Sequence, residues 1–189
     1  CYGCNRVTSP HIDAFAREGT VFLDMVAPHI PTHPAFTTMF TGHDVFSHQI
    51  VTHAGAVELD PGIPMLAETL RGLGYHTAAA DNLGKWFSRG IDAYDSSTFE
   101  SDFGMWGWNG ENVNRVALAR MNDAVAQDAP FFLWVHYWDP HTPYEPPPPF
   151  SRMFYEGDPY AASHTSMERI EAEEPFKSWV EQDAWQLRG

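Results

Sequence analysis

The sequence predicts an α/β domain built around a largely parallel sheet. Three observations predict it. Short apolar runs suited to strands alternate with stretches whose apolar residues recur at helical spacing. Glycine or proline punctuates most of those stretches. Polar residues able to do chemistry follow the strand-like runs, where such sheets bind ligands. No internal repeat and no clear second domain breaks the pattern.

Each element has its own signal. Ser9-Pro10, then Ile12, Phe15, Ala16 and Gly19, predict a short helix with Ser9 as N-cap, Pro10 in first position and Gly19 as the stop. Val21 to Ala27 is apolar at most positions, as in a strand covered on both faces. Next, Thr32 is placed to cap a helix, with Pro34 in its first turn, where a missing N–H costs nothing. A short apolar segment, Phe36 to Phe40, then stops at Gly42. Residues 43–62 are loop-like. Pro64 begins a helix with Ile63, Leu66, Ala67, Leu70 and Leu73 on one face, ended by Gly74. Tyr75 to Asp81 predicts a strand, and residues 82–109 an irregular stretch. Val113, Val116, Ala117, Met121, Ala124 and Val125 predict an amphipathic helix over about 110–127. Phe131 to Trp138 is the most apolar strand, ended by Pro140. A proline-rich loop over 143–149 and an acidic stretch lead to a last helix marked by Phe176, Trp179, Val180, Asp183, Ala184 and Leu187.

Composition narrows the function classes. The 189 residues are 43% hydrophobic and 14% aromatic, enough for a real core and against disorder. A formal net charge of −14 argues against nucleic acid or an anionic membrane surface as the main partner. An anionic substrate would then need a local positive site. No run approaches the roughly 18 apolar residues of a membrane span. The chain opens on Cys1-Tyr2-Gly3-Cys4 with no visible signal peptide, so the cytoplasm is the working expectation and export stays open. Cys1 and Cys4 read as small residues of a turn rather than a redox pair or half a zinc site. His29 and His33 have a ligand-like spacing, but Pro31 between them argues against one continuous helix. His136 reads as a hydrogen-bonded residue of a buried strand, and Trp106, Trp108 and Trp138 as packing residues.

The strand-end rule picks out three places: Thr32, the Asp81–Lys85 stretch, and the Asp139–His141 stretch. A hydroxyl at a helix start can meet a bound anion, because free N–H groups and the helix dipole point there. Thr32 can equally be only a cap.

Five motifs in order resemble the sulfatases of the alkaline phosphatase superfamily. Thr8-Ser9-Pro10-His11-Ile12-Asp13-Ala14-Phe15-Ala16-Arg17-Glu18-Gly19 is similar to the segment TPNID-x-LA-x-EG that precedes the family's nucleophile. Thr32-His33-Pro34-Ala35-Phe36-Thr37, through Thr41-Gly42, resembles the nucleophile motif C-x-P-S-R and its continuation to Thr-Gly. Leu66 to Thr77 is similar to the helix and strand that follow, Gly84-Lys85-Trp86 to the GKWH motif, and Pro140-His141-Thr142-Pro143 to the PH-x-P motif. The likeness spans roughly residues 1–150.

The resemblance implies an alkaline-phosphatase-like three-layer sandwich around a mostly parallel sheet. It implies that residues 1–189 are a partial catalytic domain, without the first strand and the closing part of the sheet. It puts Thr32 on the nucleophile position, which also ligates a divalent metal (Ca, Mn, Mg or Zn) whose other ligands are expected outside this chain. It puts Lys85 on a residue that contacts the anionic group, and His141 on a substrate-facing histidine. The substrate implied is a small-molecule, glycan or lipid ester.

Two departures qualify the resemblance. Sulfatases convert a Cys or Ser to formylglycine, and the modifying enzyme needs the motif's Arg. Thr32 and Phe36 stand at those positions, so that route is closed. Phe87 stands where GKWH has His. The expectation is therefore a metal-dependent hydrolase of phosphate or sulfate esters, with phosphorus preferred and a phospho-threonine intermediate. The alternatives are a phosphoglycerol- or phosphoethanolamine-type transferase, and a non-catalytic anion-binding relative. The 189-residue chain by itself is expected to be inactive.

Overall fold

The computed structural model describes residues 5–53, 57–96, 109–139, 141, 146–154, 157–158 and 161. Cys1 and Cys4, Trp106 and Trp108, the acidic stretch and the last helix lie outside the described residues. The chain forms two compact units, Cys1–Leu66 with Lys85–Phe87, and Ala67–Gly84 with Ser88–Gly189.

The first unit is helical. Helix α1 spans Pro10–Ala16, with Pro10 at its start as the sequence predicts. Ser9 makes no capping bond to the backbone; its hydroxyl donates to Asp13 Oδ1 instead (3.3 Å). Residues 21–27 are not a strand. A strand is held by neighbours' backbone groups. Among the described residues none pairs with this run, and Phe22, Leu23, Met25 and Val26 are exposed. Helix α2 spans Thr32–Thr41 and ends at Gly42 in the left-handed conformation (φ 69°), the stop the sequence predicts. Its N-cap is Pro31, so Thr32 is the first helical residue rather than the cap. The loop-like stretch after it holds a four-residue helix, α3, Val45–His48. The Asp44 side chain accepts the Ser47 N–H and fixes its start. Pro34, Thr37, Phe40, His48, Ile50, Leu59, Met65, Trp86 and Phe87 are buried in this unit.

The second unit carries the sheet. Helix α4, Leu66–Gly72, leads through Gly74 (φ 89°) into strand β1, His76–Ala80. Of the apolar face expected for α4, Ala67 is buried, but Leu66 and Leu73 are exposed. Strand β2, Ala93–Asp95, falls in the stretch expected to be irregular. Helix α5, Gly110–Ala126, and strand β3, Phe131–Val135, lie where the periodicity predicts them. The strand stops three residues before Trp138. The sheet is parallel throughout, in the order β2-β1-β3, with Ala78 opposite both Ala93 and Leu133. Ala80 packs with Val113, Val116 and Ala117 of α5, joined by Val135 and Trp138. Alanines on β1 leave room for the larger helix side chains to come close.

Candidate active site

Thr32 sits at the N-terminal end of α2, where only the Thr32 and His33 N–H groups lack intrahelical partners, since Pro31 and Pro34 have no N–H and the Ala35 N–H bonds the Pro31 carbonyl (3.3 Å). Pro31, the cap residue, has no side-chain acceptor to offer them. The Thr32 N–H instead reaches the Nε2 of His53 (3.3 Å). The Nδ1 of His53 meets the Nδ1 of His33. Lys85 Nζ donates to the His53 carbonyl (3.3 Å) and lies 5.4 Å from the Trp86 ring centroid. Thr32 and Lys85 thus meet at a shared neighbour. Lys85 opens a short 3-10 helix, Lys85–Ser88, from a left-handed conformation (φ 50°) that follows a left-handed Gly84 (φ 64°).

Buried contacts below this cluster hold it. Trp86 Nε1 donates to the hydroxyl of Thr37 (2.9 Å), which donates to the His33 carbonyl (2.7 Å). Trp86 and Thr37 are buried, so losing either partner would strand a polar group away from water. The His33 ring stands edge-on to His53, Trp86 and Phe87, with centroids 4.7, 5.8 and 5.7 Å away.

His141 belongs to the second unit. Its ring stacks on Trp138, centroids 4.5 Å apart, and its N–H donates to the Trp138 carbonyl (2.8 Å). Asp139 Oδ2 accepts the Gly110 N–H at the start of α5 (2.7 Å). At the C-terminal end of β1, the fully buried Asp81 accepts from the Leu83 N–H (3.0 Å), from the Tyr94 hydroxyl, and from His136 Nδ1 (2.7 Å). The Tyr94 oxygen accepts the Gly84 N–H (2.8 Å). Burial, and then the charge of Asp81, push the Tyr94 phenol well above the ordinary tyrosine range. His136 is hydrogen-bonded, as expected.

The sulfatase family model matches residues 1–181. The chain belongs to the sulfatase family. No curated protein matches it in sequence. Its coarse class is that of a sulfatase-like ester hydrolase of the alkaline phosphatase superfamily.

Sulfatases work with a divalent metal, and the residues here can be tested for one. Among the described residues no group of three or more His, Cys, Asp or Glu side chains could hold a metal ion. The Thr32 N–H meets the His53 imidazole, which in turn adjoins the His33 ring and holds Lys85 by its carbonyl, whereas a hard cation needs several oxygen ligands. The described residues do not fit the metal by themselves. No helix among them is long and apolar enough to cross a membrane.

His53 is the neighbour that sequence reasoning missed. It lies 21 residues from Thr32 and 32 from Lys85, beyond the reach of any local motif. Tyr94 was missed because β2 is only three residues long, too short to show a period.

Proposed function

We propose that this sulfatase relative cleaves phosphate esters, phosphodiesters or phosphomonoesters, with Thr32 as the nucleophile. The observation that carries the reading is the meeting of Thr32 and Lys85 at His53. The Thr32 N–H, in the first turn of a ten-residue helix, and the Lys85 ammonium group both bind His53, in a chain whose net charge is −14. The positive end of a helix dipole and an ammonium group are the partners an anionic ester needs in an acidic protein.

The chemistry is an in-line displacement. The Thr32 oxygen bonds to phosphorus, its proton passes to solvent, and the ester P–O bond breaks. Lys85 stabilises charge on the transferred group's oxygens. His141 is proposed to protonate the leaving oxygen; its support is its place just beyond β3, held against Trp138. Water then releases the phospho-threonine. The substrate is a small-molecule, glycan or lipid ester, and nucleic acid is not expected as a partner. Formylglycine chemistry has no starting residue here, since Thr32 replaces Cys or Ser and Phe36 replaces Arg.

The test is a phosphodiester, phosphomonoester and sulfate ester panel with the full-length protein and its Thr32→Ala variant. Turnover of phosphate esters, lost in Thr32→Ala with the fold unchanged, is expected. A phosphate adduct on the Thr32 peptide should be trapped by acid quench and mass spectrometry. Turnover of sulfate esters alone, or full activity in Thr32→Ala, refutes the reading.

A further inference from the structure

We propose that His53 is a positioning residue for this reaction, holding the first turn of α2 and the Lys85 segment in one frame; the proposal rests on Thr32 being the nucleophile. A helix start normally ties its free N–H groups to the side chain of the cap residue. Here the cap is Pro31, which has none to give. The task passes to His53, whose Nε2 takes the Thr32 N–H. The same residue offers its carbonyl to Lys85 Nζ. The candidate nucleophile and the candidate anion-binding cation are therefore tied to the side chain and backbone of one residue.

The hydrogen-bond pattern assigns both imidazole tautomers. Nε2 of His53 accepts from Thr32, so its proton is on Nδ1. That proton faces His33 Nδ1, which must accept it, leaving the His33 proton on Nε2. His33 is in turn set against Trp86 and Phe87, and its carbonyl is held by Thr37. The His53 ring, itself at the surface, is thereby fixed from one side by a packed aromatic cluster and delivers that order to Thr32. Small misplacements of a reacting atom are costly, so such support is expected to act on kcat.

The experiment combines tautomers and kinetics. Long-range proton–nitrogen NMR on the full-length, nitrogen-15-labelled protein should show His53 protonated on Nδ1 and His33 on Nε2. His53→Ala should lower kcat about 10- to 100-fold while KM moves less than about three-fold. His53→Gln, whose amide oxygen can take the Thr32 N–H, should recover to within about five-fold of wild type. The carbonyl that holds Lys85 is present in all three proteins, so the loss reports the ring. An Nε2-protonated His53 overturns the proposal, whether or not His53→Ala folds. So does wild-type kcat in His53→Ala when Thr32→Ala is dead. Full turnover in Thr32→Ala instead overturns the nucleophile and with it the purpose of the contact, while the tautomers still judge the contact itself.

Discussion

Phe36 and Phe87 meet edge to face, with ring centroids 6.4 Å apart and planes at 83°. These are the two positions where the sulfatase motifs carry a positively charged Arg and a His. Both rings also pack on Phe40, at 6.4 and 6.2 Å. The two departures from the motifs are therefore one feature: a polar pair replaced by an aromatic pair. Phe87→Ala should destabilise the protein by about 3–5 kcal/mol, the range for a buried ring. A double-mutant cycle with Phe36→Ala should give a coupling of about 0.5–1.5 kcal/mol. Additive losses in urea unfolding would show that the rings do not support each other.

Gly90 cannot carry a side chain. A Cβ there would lie 2.3 Å from the Glu68 backbone nitrogen, and its φ of +76° is left-handed. The neighbouring Arg89 holds Glu68 by two hydrogen bonds, Nε to Oε1 (3.0 Å) and a terminal nitrogen to Oε2 (2.9 Å), so α4 has little freedom to retreat. Gly90→Ala should cost at least about 3 kcal/mol, well above the roughly 1 kcal/mol of an ordinary loop glycine. Thermal unfolding of the variant measures it.

The parts of the fold legible in the sequence are those with a long period or a strong punctuation mark. Helix α5 shows because Val113, Val116, Ala117 and Ala124 recur over seventeen residues and are all buried. Gly42 and Gly74 show because helix ends at these places take positive φ. Thr32 and Lys85 were legible as site candidates through ordered motifs, but not through the strand expected before Thr32. Composition cannot tell an apolar run with a ladder partner from one without. Residues 21–27 have strand composition, yet among the described residues no strand lies beside them. His53 was illegible for a different reason. Its partnership with Thr32 is made by the fold across a long loop, and no spacing rule encodes it.

His48 should make stability fall in mild acid. Its ring is buried, with Nε2 on the Thr38 hydroxyl (2.9 Å) and Nδ1 accepting the Ile50 N–H (3.0 Å). Burial holds its pKa below the ordinary value, helped by the charges of His29 and His43 and opposed by Asp44. The folded state thus binds this proton less well than the unfolded chain. The stabilisation is fully present above about pH 6.5, the unfolded value, and is lost as pH falls through the lower folded value. Urea midpoints should drop from about pH 8 to about pH 5, and the slope should be shallower in His48→Gln, which has no proton to take up. An equal slope in the variant would assign the acid lability to other groups.

Tyr94 should behave in the opposite sense at the alkaline end. Its hydroxyl donates to Asp81 and accepts from the Gly84 N–H, so ionising it would put a phenolate against a buried carboxylate. Its pKa is raised, first by burial and then by Asp81. That stabilisation is whole below about pH 10, the unfolded value, and is lost as pH rises through the folded value. In an alkaline titration followed by ultraviolet difference absorbance, one of the seven tyrosines should stay protonated until the protein unfolds. Tyr94→Phe should remove that late step. It should also cost about 1–3 kcal/mol, because it leaves Asp81 one donor short and the Gly84 N–H without its acceptor. Since Gly84 leads directly into Lys85, the variant should also raise KM for an anionic ester more than it lowers kcat. If all the tyrosines of the wild-type protein titrate together before unfolding, Tyr94 is not held by Asp81 in solution.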